Sequence, residues 1–216
     1  GIIFVDLALA QVAALGSTVA LLAGHPLQGE AAYWYALTFT LGGSLLFAMS
    51  RIHRAPIPQE AIVGIVYAVS AAVAVLVVDR APQGSEHIKQ LLVGSLLTVT
   101  LREIGTLTLL YGIVGALHWA MRRPLLEISF DPEAALAKGR WLHWWDFLFY
   151  ASFGFVVTSS VQIAGVLLVF SYLIVPAAIA ALLARSVAGR LLIGWGLGFL
   201  ASVLGLLASY LWDLPT

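Results

Sequence analysis

The sequence predicts an all-α integral membrane protein, a polytopic bundle whose helices cross the bilayer several times. Hydrophobic residues make up 61% of the chain and charged residues only 10%, with a mean hydropathy of +0.98. Soluble domains carry about 25% charged residues, so this chain could not hide its apolar surface in water. The apolar residues also fall in continuous runs of roughly 20, the length that a helix needs to cross the hydrocarbon core.

Seven runs are long enough to span a membrane as helices. They cover residues 1–24, 31–50, 61–78, 104–121, 144–161, 163–184 and 191–212. The first lacks a positively charged start and a short apolar core, so we interpret it as a mature helix and not as a signal peptide. The fifth and sixth runs nearly touch, which predicts a tight turn at residues 159–162.

Basic residues near the span ends predict the orientation, because cytoplasmic loops carry an excess of Lys and Arg. Eight of the eleven basic residues follow the second, fourth and sixth spans: Arg51, Arg54, Arg122, Arg123, Lys138, Arg140, Arg185 and Arg190. These three loops alternate along the chain, as loops on one side of a membrane must. We therefore expect them to be cytoplasmic, and the first span to run from inside to outside.

Residues 88–101 are apolar but cover only about two-thirds of the length needed to cross a membrane. Arg102 and Glu103 follow them. We interpret this segment as a short interfacial or re-entrant helix on the outer face. The alternative is one long tilted helix that continues to Met121 and buries the Arg102–Glu103 pair at an energetic cost.

Three polar residues in or beside the spans are candidates for a translocation pathway, because polar side chains within a membrane are expensive and often functional. Asp6 and Gln11 lie in the first span, but five helical residues turn about 500°, which puts them about 140° apart. Asp6 could instead reach headgroup water, and Gln11 could bond a neighbouring helix. Glu60 precedes the third span, where a carboxylate also stabilises a helix N-terminus.

Several kinds of chemistry find no support in the sequence. Neither Lys89 nor Lys138 lies in a Gly-x-x-x-x-Gly-Lys-Ser/Thr loop, so we expect no nucleotide binding by this chain. The histidines do not pair at ligand spacing, and there is no cysteine, so we expect neither a catalytic centre nor a cofactor. A formal net charge of zero argues against a nucleic-acid partner.

The stretch at 162–190, QIAGVLLVFSYLIVPAAIAALLARSVAGR, carries the clearest local pattern. Pro176 interrupts an apolar run, which predicts a bend or break in the helix. The alanine-rich part beyond it leads to the predicted cytoplasmic face and could dock a partner there. The candidate docking residues are Pro176, Ala177, Ala178, Ala181 and Arg185. The alternative is an ordinary proline kink, which is common in membrane helices.

In four segments the chain resembles the permease subunits of metal-ion ABC importers, which take up zinc, manganese or iron(II) in bacteria. The segments are GVLLVFSYLIVPAAIAALLA at 165–184, SYLWDLPT at 209–216, LLEISFDPEAALAKG at 125–139 and LLVGSLLTVT at 91–100. Their order and spacing agree over essentially the whole chain. The resemblance also points to the alanine-rich stretch after Pro176 as the part that couples to an ATPase.

The resemblance implies a multi-pass permease of the bacterial inner membrane that moves a divalent metal ion into the cytoplasm. It implies a permease homodimer in membrane lipid, a cytoplasmic ATP-binding subunit and an extracytoplasmic metal-binding protein. It further implies that residues 1–216 form a single transmembrane permease domain that lacks helices at both ends. Family members with assigned metals commonly show Asp-Ala-Leu-Ser-His in the first of these helices. Here DLALAQ places Gln11 at the histidine position, and an amide binds transition metals far less well than imidazole.

Other function classes are still open from the residues alone. A secondary transporter driven by an ion gradient would usually need intramembrane carboxylates and an inverted repeat, and the sequence offers one such carboxylate and no clear repeat. An integral-membrane enzyme would need converging His, Asp or Glu side chains. A third alternative is an ABC permease that carries a metal chelate.

Overall fold

The structure, a computed structural model, describes residues 4–27, 29–50, 58–80, 84–94, 98–139 and 141–212. Every regular element in these ranges is a helix. In chain order they are α1 (Val5–Leu22), α2 (Glu30–Ser50), α3 (Gln59–Asp79), α4 (Gly84–Val93), α5 (Leu101–Ala120), α6 (Arg122–Phe130), α7 (Pro132–Ala137), α8 (Leu142–Leu183) and α9 (Val187–Trp212). Arg51, Arg54 and Arg140, which the orientation prediction uses, lie outside the described residues.

Five of these helices are long and apolar enough to cross a membrane by themselves: α1, α2, α3, α8 and α9. Helices α5 and α6 meet the same test only as a pair, bent by 68°. The described residues thus hold five or six candidate spans, and the predicted count of seven is not confirmed. The count differs mainly because the fifth and sixth predicted spans fall within one 42-residue helix, α8.

Helix α8 is interrupted at Gly165, which has a φ of 73° and a ψ of 164°. The predicted turn at 159–162 is wrong, because the chain is helical there. Of the predicted bend or break at Pro176, the break is wrong, since helical dihedrals continue through it. An unbroken helix of 42 residues would be about 63 Å long, roughly twice the hydrocarbon thickness. Gly165 divides it into a first segment (142–164) and a second segment (166–183), each about long enough for one crossing.

The short helix predicted at 88–101 is present as α4, with earlier boundaries. It ends at Val93, just before Gly94. Helix α5 begins after Thr100, whose hydroxyl caps α5 by accepting a hydrogen bond from the Glu103 backbone N–H at 3.3 Å. The Glu103 carboxylate accepts in return from the Thr100 N–H at 2.7 Å. One continuous helix to Met121 is therefore wrong, and Arg102 and Glu103 are both exposed.

Helix α1 lies at the centre of the bundle, packed against α2, α3 and α8. Small residues allow close packing: a Cβ added at Gly16 would lie 2.6 Å from the Cα of Ala36 on α2. Helix α9 is the opposite case, since it packs mainly on α8 and none of its residues is buried. Most of the buried polar side chains lie on α1, α2 and α8, the helices that pack together.

Candidate translocation pathway and coupling segment

The three pathway candidates lie on α1 and α3 but do not form one ligand set. Asp6 is half-buried in the first turn of α1, and its Oδ1 accepts a hydrogen bond from the Leu7 N–H at 2.9 Å. Gln11 is buried, with 9% of its surface exposed, whereas Glu60 is exposed in the first turn of α3. In the part of the chain that the structure describes, no group of three His, Asp or Glu side chains is placed to hold a metal ion. A pathway role for these three residues stays a prediction.

A line of buried hydroxyl groups joins α2 to the first segment of α8. The Thr158 hydroxyl donates to that of Thr40 at 3.1 Å, and Thr40 donates to the Ala36 carbonyl at 2.7 Å. One turn along α2, Ser44 donates to the Thr40 carbonyl at 2.8 Å. Sequence reasoning missed these residues, because single hydroxyls in a span carry no signal until their partners are known.

A second set of polar contacts joins the same segment of α8 to α5. The Tyr111 and Ser160 hydroxyls lie 2.7 Å apart, and His118 Nε2 lies 2.9 Å from the Ser152 hydroxyl. Together the two sets join the first segment to both α2 and α5. The hydroxyls bond one another or nearby carbonyls, as expected of contacts that hold helices together in lipid.

The end of α4 meets the break in α8 backbone to backbone. A Cβ added at Gly94 would lie 2.4 Å from the carbonyl carbon of Ala164 and 2.5 Å from the nitrogen of Gly165. A Cβ added at Gly165 would lie 2.5 Å from the Leu92 oxygen and 2.6 Å from the Gly94 nitrogen. Both glycines have positive φ, at 70° and 73°, where other residues are strained. Only glycine fits either side of this contact.

The predicted coupling residues lie in the last turns of α8. Ala177, Ala178, Ala181 and Arg185 are exposed, and Pro176 is half-buried. Ala180, on the other side of the helix, is buried against α9, where a Cβ added at Gly194 would lie 3.9 Å from the Ala180 Cβ. The exposed surface of this segment therefore holds small side chains together with the larger apolar ones of Ile179, Leu182 and Leu183, of which Leu182 is 88% exposed.

Two hydrogen bonds fix the connection from α8 to α9. The Ser186 hydroxyl accepts from the Gly189 backbone N–H at 3.1 Å, which caps the start of α9. Arg190 donates from Nε to the Ala184 carbonyl oxygen at 3.0 Å. The predicted coupling residues thus end in a short, bonded turn, a feature that composition alone did not predict.

The chain is similar in sequence to a family of transport proteins and to several of its members. The family model described as "ABC 3 transport family" matches residues 2–216. The chain is 30% identical over 176 residues to the manganese import system permease protein ScaB of Streptococcus parasanguinis, covering 81% of this chain and 62% of ScaB. It is 28% identical over 204 residues to a Haemophilus influenzae protein named "Probable iron transport system membrane protein", covering 93% and 72%.

The fold also resembles a solved structure. PsaBC from Streptococcus pneumoniae, solved in complex with Fab, superposes with a TM-score of 0.76 at 22% identity, covering 98% of this chain and 74% of that one. At this identity the likeness concerns the fold alone. The chain spans about two-thirds of the length of the curated relatives it matches.

Proposed function

The chain belongs to the ABC 3 transport family, and from this premise we propose that it is the membrane-spanning permease subunit of an ATP-binding-cassette importer. Its cargo is a divalent metal ion, which moves into the cytoplasm. A separate cytoplasmic subunit hydrolyses the ATP, and an extracytoplasmic metal-binding protein delivers the ion. Two copies of the permease assemble in the bacterial inner membrane.

The observation that carries this proposal is the family match over nearly the whole chain. The geometry at the end of α8 supports it. An ATPase can drive transport only if it binds a rigid element that is joined to the helices lining the translocation pathway. The exposed alanines around Ala181 and the bonded turn at Ser186 and Arg190 meet that requirement.

Manganese and iron(II) are the metals to test first, because relatives of the chain are named for manganese and iron transport. Zinc, which prefers imidazole and thiolate ligands, belongs in the same test because of the family resemblance.

The proposal is tested by reconstituting the permease in vesicles with an ATP-binding subunit and a metal-binding protein from the same organism. Purified permease alone should hydrolyse no ATP, and adding the ATPase should produce ATP-dependent uptake of manganese or iron(II) into vesicles. Robust hydrolysis by the permease alone would remove the importer assignment. Uptake driven by an ion gradient without ATP would favour a secondary transporter.

A further inference from the structure

We propose that Gly165 is the hinge of the permease and that the end of α4, at Gly94, is the stop that holds this hinge closed. The inference rests on the proposed function, because it describes how ATP-driven movement at the coupling residues reaches the outer side. It concerns three described parts of the molecule: the two segments of α8 and the short helix α4.

The two segments of α8 belong to different bodies. The first segment is hydrogen-bonded to α2 through Thr158 and to α5 through Ser160. In the described residues, the second segment makes its side-chain hydrogen bond to another helix only with α9, where the Tyr172 and Ser202 hydroxyls lie 2.7 Å apart. The Arg190–Ala184 bond closes the same unit at its other end. The second segment and α9 therefore form one antiparallel hairpin.

Apolar side chains make the contact between this hairpin and the rest of the bundle. Val166, Val169 and Leu173 pack against the cluster that contains Val5 and Leu9 of α1. Such contacts are non-directional, so they resist sliding less than a hydrogen bond with a defined geometry. In the described residues, therefore, a turn of the hairpin against α1 works mainly against apolar packing and not against a side-chain hydrogen bond.

Gly165 is the natural pivot, because the dihedral change of a hinge falls on a few residues at the ends of elements. It is the only residue within α8 with non-helical dihedrals. Its positive φ lies in a region that glycine enters freely and other residues do not. The coupling residues, including Ala181, lie on the far end of the segment that would turn.

Gly94 lies against Gly165, where it can block a change in the Gly165 backbone dihedrals. Helix α4 contacts α8 and α3, and its last turn lies against the backbone of Ala164 and Gly165 at contact distance. Any rotation about Gly165 must therefore move past α4 or carry its end along. The contact couples the outer-face helix to the cytoplasmic coupling residues.

Paired cysteines test the movement directly, because the native chain contains none. Val93→Cys with Ala164→Cys places one thiol on each side of the contact and leaves both glycines in place. In vesicles that hold the complete transporter, we expect a short bifunctional thiol reagent to join the pair readily without nucleotide. ATP with vanadate should slow the reaction by roughly fivefold or more, the lower end of coupling between linked sites. The transporter with the cross-linked pair should still hydrolyse ATP but should no longer take up metal. Cleaving the cross-link with a reductant should restore uptake.

The matched control lies within the hairpin. It combines Ala180→Cys with Gly194→Cys. The Cβ atoms at these two positions would lie 3.9 Å apart, a distance that suits a disulfide. This pair should join equally in every nucleotide state and leave uptake unchanged.

Equal joining of the 93–164 pair in all states, or normal uptake after joining, would overturn the hinge. Absence of metal uptake in the unaltered transporter would instead count against the proposed function, while the joining rates still report on the hinge.

Discussion

Arg190 bonds the carbonyl oxygen of Ala184 at 3.0 Å, across the turn that joins α8 to α9. Ala184 is the residue at which α8 ends, with an extended backbone of φ −122° and ψ 141°. Carbonyls at the end of a helix have no partner within that helix, so the guanidinium satisfies one of them. The bond spans the turn between the predicted coupling residues and α9.

We expect Arg190→Ala to lower metal uptake and the amount of co-purified ATPase about fivefold, roughly the effect of one lost hydrogen bond. The protein should still insert at a normal level. Arg123→Ala is the control, because Arg123 is also exposed and basic on the predicted cytoplasmic side. Equal losses in the two variants would show that positive charge, and not the bond to Ala184, is what matters.

Ala181→Glu tests the coupling surface. A bulky charge on this exposed alanine should prevent close approach of the ATPase, since complementary packing at the core of an interface excludes unpaired charge. We expect uptake and ATPase co-purification to be lost while membrane insertion is kept. Ala23→Glu makes the same change on an exposed alanine at the end of α1, which the orientation prediction places on the outer side, and should be nearly silent. If Ala181→Glu retained both activities, residues 129–139 would become the candidate contact.

Gly16→Ala tests the packing of α1 on α2. The new Cβ would lie 2.6 Å from the Ala36 Cα and 2.8 Å from the Tyr35 carbonyl oxygen, so the two backbones must separate. We expect a loss of about 1–3 kcal/mol in stability, as for other overpacked sites, measured by thermal unfolding in detergent. Gly112→Ala, on α5 with nothing within 4 Å, should not lower the melting temperature.

Gly94→Ala and Gly165→Ala should each reduce stability and uptake, because both require a positive φ and both meet backbone atoms. The double variant should not rescue either one, since the two added methyl groups crowd the same space. Gly105→Ala, in open surroundings on α5, is the control. Normal melting and uptake in both single variants would contradict the described contact.

Thiol labelling tests the orientation. Ser186→Cys should react with an impermeant reagent only from the cytoplasmic side, and Lys89→Cys only from outside, because the basic loops predict these locations. Both side chains are exposed. Labelling of position 186 from outside would reverse the topology and remove the coupling assignment with it.

Apolar run length predicted most of the helices. The runs at 31–50, 61–78 and 191–212 correspond closely to α2, α3 and α9, because a membrane span needs continuous apolar residues and satisfied backbone groups. Run length could not locate the break in α8. The sequence favoured Pro176 as the position of the break, but α8 continues through that residue. The break lies instead at Gly165, where the backbone of α4 makes contact.

The candidate site was predictable only in part. Ala177, Ala178, Ala181 and Arg185 are exposed, as a docking surface requires, and their docking role stays a prediction. The Thr40–Thr158 bond could not be foreseen, because it joins residues 118 positions apart. Contacts of this kind depend on which helices become neighbours, and that information is not local.

Helix α9 also makes the molecule sensitive to the thickness of its membrane. Its 26 residues extend about 39 Å, against a hydrocarbon layer of about 30 Å. A helix that is too long for the layer tilts or thickens the lipid around it, and α9 has no buried side chain to hold it upright. Hydrogen bonds from Tyr172 to Ser202 and from Arg190 to Ala184 join α9 to the end of α8, so we expect a tilt of α9 to move the predicted coupling residues with it. Lipid acyl-chain length should therefore shift the same predicted coupling residues that the proposed ATPase would contact.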